Sequence, residues 1–197
     1  KFNMEVGDGD RKQLMSGTID RVDICENGTD VYVRIIDYKT GKKDFNIVKT
    51  YYGIDIQLMV YMEAAMKLVA KMRPGKNVIP AGVFYYNISD PIVSATTESA
   101  EEIEDKIKGE LRLKGMVNSD KDIAEKMDNT EGTSLNIPVS RKADGGFDSR
   151  RSKVMNTEQF NMLGRFVDVR AIDTADRIVG GDIRRSPYKD GQFSSCD

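Results

Sequence analysis

Asp20, Asp37 and Lys39 are the residues on which chemistry could turn. They stand in the stretch "GTIDRVDICENGTDVYVRIIDYKTG", Gly17 to Gly41, where two strand-like runs carry carboxylates at their ends and a lysine follows the second. No histidine occurs anywhere in the chain. In a strand, residues i and i+2 point to one face, so Asp37 and Lys39 stand side by side while Ile36 and Tyr38 point to the other. A carboxylate beside an ammonium at a strand end can hold a hard divalent cation through oxygen, leaving the lysine to orient a water or stabilise charge on a phosphate oxygen. One carboxylate holds magnesium poorly. Asp20 offers a second, because antiparallel pairing of the two runs can bring the end of one near the start of the next, with the partner set by register.

Acid-x-lysine triplets are common on surfaces, and Asp10-Arg11-Lys12 and Glu104-Asp105-Lys106 match too, both with the look of solvated charge. Context separates the third. Val31, Val33, Ile35 and Ile36 make a buried strand, so Asp37 and Lys39 sit where core gives way to cleft, the position in which perturbed ionisable groups cluster. Gln57 and Tyr61, one helical turn apart, share a face that leucine would bury as well, and the glutamine is the odder choice. Arg21 and Asp23 read as an ordinary surface ion pair.

The elements that must position these groups follow from periodicity. Gln13–Cys25 and Asp30–Lys39 read as a hairpin turning at Glu26-Asn27-Gly28. Ile54, Leu58, Tyr61, Ala65, Leu68 and Val69 recur at helical spacing until Arg73-Pro74-Gly75 ends the run. Asn77–Ser89 is strand-like, with Pro80 near its start. A crossover helix between the second and third strands makes those two parallel and the sheet mixed. Residues 97–128 carry two helical patterns, and Asn129–Lys153 reads as a long loop around a short strand at Leu135–Val139. A final helix starts at Asn156, which has capping-box spacing with Gln159, and runs to Gly180-Gly181. The expected fold is α/β, a mixed central sheet flanked by helices with a C-terminal helical extension. One domain is expected over 1–197, with a core over about 12–90 and the extension over about 91–197.

The net charge of −2 sums 30 basic and 32 acidic residues, so a nucleic-acid partner would need only a local basic surface. The two cysteines, Cys25 and Cys196, make no disulfide framework and fit a reducing cytoplasm. Cys25 is expected as a packed, inert side chain. The most apolar run, "IQLMVYMEAAMKLVA", carries Glu63 and Lys67 and is too short and too charged for a membrane span of about 20 residues. The chain opens on Lys1 without a signal segment, and it is expected to be a piece of a longer protein.

Three stretches together resemble the RecB-like branch of the PD-(D/E)xK nuclease family: Gly17-Thr18-Ile19-Asp20-Arg21-Val22-Asp23, Ile36-Asp37-Tyr38-Lys39-Thr40-Gly41 and Gln57-Leu58-Met59-Val60-Tyr61. "LRLKGMVNSDKDIAEKMD", "IPVSRKADGGFDSRRS" and "SPYKDGQFSSC" are similar to the C-terminal nuclease domains of AddB-type proteins. The resemblance implies a restriction-endonuclease-like fold and a magnesium-dependent DNA exonuclease, with manganese as substitute. It implies work on double-strand ends and single strands beside an AddA-like helicase–nuclease partner, in recombinational repair in the bacterial cytoplasm. By resemblance, Asp20, Asp37 and the Tyr38 backbone carbonyl are metal ligands, Lys39 is the catalytic lysine, and Gln57 and Tyr61 line the same site. The family's further metal-site residue comes from a helix before the first motif strand, and only sixteen residues precede Gly17. A 4Fe–4S cluster in AddB-like proteins uses one upstream and three C-terminal cysteines, of which Cys196 resembles the first of the three. It is expected only in the longer protein. The rival reading is a nuclease-like domain kept for DNA binding or scaffolding. Such a domain should have lost one of Asp20, Asp37 and Lys39, and all three are present. No GxxxxGK[ST] phosphate loop occurs.

Overall fold

In the structure, a computed structural model, residues 1–7, 12–93, 99–185, 189–190 and 193–194 are described. Apolar alternation builds the frame. β3 (Arg21–Asn27) turns at Gly28, whose φ of 60° suits glycine, and pairs antiparallel with β4 (Asp30–Lys39). The chain then passes through α1 (Ile47–Tyr51) and α2 (Gln57–Met72) to β5 (Asn77–Asn87), which lies parallel to β4 as the crossover requires. Between Val33 and Arg34 the β4–β5 register slips by one residue: Val33 faces Pro80, Arg34 faces Gly82, and Ala81 is the extra residue. β6 (Lys114–Asn118) adds antiparallel to β5, and β7 (Val154–Met155) adds parallel to β6. The sheet order is β3-β4-β5-β6-β7, a mixed α/β sheet.

Helices cover both faces. On one face α2 buries Leu58, Met59, Met62, Ala65 and Val69 against Val31, Val33, Ile35 and Val83, and α5 (Thr157–Val179) adds Phe160 and Val167. Each large aliphatic side chain fully buried there stabilises the fold by roughly 1.5–3 kcal/mol relative to exposure. On the other face, α4 (Lys121–Met127) and residues 134–139 cover Ile36, Phe84 and Val117. α3 (Ala100–Leu111) buries no residue and begins in a capping box of Ser99 and Glu102. α5 begins as expected, with Asn156 and Gln159 capping each other's backbone N–H.

Several expectations need correction. Residues Gln13–Cys25 are not one strand: the chain bends at Thr18–Asp20, and β2 (Gln13–Gly17) pairs instead with β1 (Phe2–Val6) in a separate two-stranded ribbon. The segment after Gly41, which carries no strong periodicity, contains α1, whose Val48 and Lys49 N–H groups donate to the Asn46 side chain. No ladder strand forms at Leu135–Val139, because the Asn136 and Ile137 N–H groups donate to Ser134 Oγ, leaving none for a ladder there. Asp128 fixes that turn, accepting from Ser134 Oγ at 2.7 Å, Asn136 Nδ2 at 2.9 Å and the Thr130 N–H at 2.7 Å. Burial alone would raise its pKa, and these hydrogen bonds carry it down to about 2. β8 (Lys189–Asp190) and β9 (Phe193–Ser194) form a small antiparallel ribbon near the C-terminus.

α2 and α5 meet at Gly164, where a Cβ would run into the Glu63 carboxylate. Burial, and then the nearby Asp168 charge, push the Glu63 pKa up. The folded state therefore favours neutral Glu63. That contribution is complete below the unfolded value near 4.5 and is lost as pH rises through the folded value. Glu63→Gln should accordingly raise the melting temperature by about 2 °C at pH 7.5, with the gain shrinking towards pH 4. Thermal melts of both proteins across that range check it, and a difference independent of pH would assign the effect to packing instead.

Candidate active site

The β3–β4 ladder ends on the pair Arg21 and Ile36, so the next step in the same register sets Asp20 opposite Asp37. The bend that ends β3 leaves Asp20 outside the ladder, and its Oδ2 accepts the Tyr38 N–H at 2.9 Å. Asp20 is exposed, whereas Asp37 is only 2% exposed. Strand alternation turns Asp37 and Lys39 toward α2, as i and i+2 spacing requires, and Lys39 Nζ stands 2.7 Å from Asp37 Oδ2.

α2 delivers the third element at its first turn. Gln57 Oε1 accepts from Lys39 Nζ at 2.9 Å, while Gln57 Nε2 donates to Asp37 Oδ1 at 3.3 Å and to Tyr61 Oη at 2.8 Å. One amide thus joins the carboxylate, the ammonium and the phenol, which leucine at position 57 could not do. A lysine ammonium has three N–H donors; one goes to Gln57 and the ammonium pairs with Asp37 by charge, so donors remain for another acceptor. The structure brings together the side chains of Asp37, Lys39, Gln57 and Tyr61, and Asp20 joins them through the backbone N–H of Tyr38, between Asp37 and Lys39.

A second carboxylate under the site was not foreseen. Asp55 is buried just before α2, accepts from Tyr85 Oη at 2.7 Å, and has Lys43 Nζ at 3.3 Å. The ammoniums of Lys39 and Lys43 each stand 5.6 Å from the centroid of the Tyr85 ring, so one aromatic ring carries two cations. Burial, and next the bond to Asp55, push the Tyr85 hydroxyl well above the usual phenol range, so it stays a donor. The signal available in sequence was slight: Tyr85 reads as core in a β-branched strand, and only the pairing of Asp37 with Tyr85 places it beneath the lysines.

The site's oxygens suit a hard cation. Asp37 Oδ2 is buried without an aligned hydrogen bond, although the Lys39 ammonium is within ion-pair distance. A buried carboxylate oxygen left so is a place where a cation could add. Among the described residues, no group of three or more His, Cys, Asp and Glu side chains is poised around a metal. Among the described residues up to Gly17, β1 and β2 form the two-stranded ribbon, with Phe2 packed edge-on against Tyr61 at a centroid distance of 5.8 Å. Cys25 is half-buried beside Tyr32 and Ile79, while Cys196 lies outside the described residues. Among those residues no helix is long and apolar enough to cross a membrane.

Comparison with known proteins agrees with this geometry. The chain is 38% identical over 182 residues to an ATP-dependent helicase/deoxyribonuclease subunit of Thermoanaerobacter sp. (strain X514), covering 91% of this chain and 16% of that protein. It is 38% identical over 196 residues to the helicase/deoxyribonuclease subunit of the same name from Clostridium botulinum (strain Hall), covering 98% of this chain and 17% of that one. The relative from Caldanaerobacter subterraneus is 40% identical over 182 residues, covering 91% and 15%. The chain thus spans about one sixth of the length of these relatives. The family model described as the PD-(D/E)XK nuclease superfamily matches residues 1–197, and with the lysine–carboxylate pair at the end of a mixed sheet this establishes that the chain belongs to that superfamily.

Proposed function

We propose that this chain is the DNA-cleaving part of a bacterial helicase–nuclease that processes double-strand ends for recombinational repair, hydrolysing phosphodiesters with a divalent metal ion. One observation carries the reading: a lysine held between a buried carboxylate and a glutamine with N–H donors still to give. The names of the relatives, helicase/deoxyribonuclease subunits, support DNA as substrate and a helicase setting with a partner of the AddA type.

Asp20, Asp37 and the Tyr38 carbonyl would hold the ion, magnesium by preference with manganese as substitute, since all three are oxygen donors. When bound, it would supply an activated water and neutralise charge on the phosphate. The chain's own residues do the remaining work. Lys39 offers its free N–H to the attacking water or to a phosphate oxygen, and Asp37 keeps that ammonium from swinging away. Gln57 is a positioning residue, and Tyr61 fixes which way its amide points. Lys43, held by Asp55, adds a second cation near the site. A 4Fe–4S cluster involving Cys196 belongs to the proposal for the longer protein only.

The test is degradation of linear DNA by the full-length protein with its partner, in magnesium, in manganese and in chelator. Cleavage in both metals and none in chelator is expected. An undiminished rate in chelator would sink the metal-dependent reading.

Gln57→Leu should leave manganese affinity within about twofold while slowing cleavage by about tenfold to a hundredfold, because the lysine loses its second anchor and a small displacement of a reacting group is costly. Gln57→Glu, which still offers an acceptor to Lys39, should recover part of the loss. Parallel calorimetry and single-turnover cleavage distinguish this from loss of metal.

A further inference from the structure

The face of β4 turned away from Asp37 and Lys39 carries a groove of about 540 Å³. That lies within the range of small-ligand sites, about 300–1,000 Å³. Its floor is aromatic and aliphatic: Tyr38 and Tyr86 meet edge to face with centroids 5.8 Å apart, beside Ile36, Leu111, Leu113 and Leu135. Its charged lining is Arg21, Arg34 and Lys108, with no carboxylate among the described residues that line it. Arg21 Nε and Arg34 Nη2 both bond to the single carboxylate of Asp23, at 2.9 Å and 2.5 Å, so two guanidiniums share one negative charge. Lys108 comes from the last turn of α3, is exposed, and pairs at 2.8 Å with Glu104 one turn earlier, so a phosphate there would compete with that carboxylate for the ammonium. Tyr38 is 39% exposed despite its place in a strand otherwise buried from Val31 to Asp37 apart from Arg34.

Aromatic faces interleaved with cations are the chemistry that recognises unpaired nucleic acid, bases stacking on the rings and phosphates meeting the charges. A duplex keeps its base faces covered and offers none to a tyrosine. Tyr38 is also the residue between Asp37 and Lys39, so the groove and the candidate catalytic groups share one strand end, with consecutive Cα atoms about 3.8 Å apart. We infer that this groove binds single-stranded DNA next to the scissile phosphate, with unpaired bases on Tyr38 and Tyr86 and the backbone along Arg21, Arg34 and Lys108. The inference rests on the nuclease reading above and adds where the strand is held. A strand rounding the end of β4 has its phosphate at Asp37 and Lys39 on one face and its neighbouring bases on the other.

The experiment measures binding of a fluorescent oligothymidylate in chelator, where no metal-dependent cleavage interferes, with a duplex of equal length as control. Lys108→Glu, a charge reversal on an exposed helix turn, should weaken single-strand binding by about tenfold and duplex binding much less. Tyr86→Leu should weaken it similarly, since stacking contributes about 1–3 kcal/mol per base and tenfold is about 1.4 kcal/mol. An oligonucleotide carrying 5-iododeoxyuridine should crosslink to Tyr38 or Tyr86 under ultraviolet light. Unchanged affinity in Lys108→Glu, or crosslinks only outside the groove, overturns the assignment. Neither variant alters Asp37, Lys39 or Gln57, so the loss or survival of cleavage in Lys39→Ala judges the nuclease reading separately.

Discussion

Lys39→Ala is expected to lower the rate of DNA cleavage by about a thousandfold while manganese binding and the fold persist. The size follows from what the ammonium does at its position. A positioned proton donor or charge stabiliser contributes about 10²–10⁴ in rate, and Lys39 keeps N–H donors beyond the one given to Gln57. The fold should tolerate the change because Lys39 is partly exposed, with 29% of its side chain open, and its removal leaves Asp37 bonded to Gln57 Nε2. Metal affinity should rise slightly if it moves at all, since a cation that competes for Asp37 has gone. Single-turnover cleavage of linear single-stranded DNA, with calorimetry on the same preparation, reads both quantities. A variant that degrades DNA at the wild-type rate removes Lys39 from the mechanism, and one that also loses manganese shows the lysine acting through the ion's site.

Asp37→Ala should abolish both properties together. With Asp20, just beyond the end of the β3–β4 ladder, Asp37 is one of the two carboxylates of the proposed metal site, and its loss would remove about half of the anionic charge that draws a hard cation out of water. It also frees the Lys39 ammonium, which keeps only Gln57, so cleavage should fall to the background of the assay. The manganese titration should lose its heat. Equal binding by wild type and Asp37→Ala would place the ion elsewhere and would undo the pairing of Asp20 with Asp37 as a metal site. The two variants separate the roles: one loses rate alone, the other rate and metal.

How much of this was legible in sequence depended on whether a signal was local. The buried run Val31–Ile36 ending in Asp37-Tyr38-Lys39, the crossover helix and its parallel return strand, and the Asn156–Gln159 cap are all carried by residues within a few positions of each other, and all are present. The place of Gln57 beside Lys39 was implied by the family resemblance, and the start of α2 delivers its amide there. What stayed hidden needed partners far along the chain. β6, with Gly115 in a five-residue strand, is specified mainly by its fit against β5, where Gly115 admits the Val83 carbonyl at close approach. The break at Thr18–Asp20 is set by the packing of β2 on β1, and Asp55 acquires its partner only when β5 carries Tyr85 beneath it. The stretch Leu135–Val139 has strand composition, but Asp128 holding Ser134, six residues further on, captured the local hydrogen bonding instead.

The extra residue at Ala81 bears on how this protein can change over evolutionary time. Because side chains alternate across a strand, one residue more or fewer upstream inverts the facing of everything downstream. With Ala81 in place, Tyr85 shares the side of Asp37 and Phe84 the opposite side. Excising Ala81 itself would leave Gly82 opposite Arg34 and Tyr85 opposite Asp37, one partner to one, whereas excising a residue between Gly82 and Tyr85, with Gly82 held, would turn the Tyr85 hydroxyl away from Asp55. Chain length between Gly82 and Tyr85 is therefore under tighter constraint than the identity of the residues that fill it. Single-codon deletions there act as parity errors, so drift in that part of β5 has to proceed by substitution, and gains or losses of length are confined to the unpaired residue at Ala81 and to the connections that leave the strand phase alone.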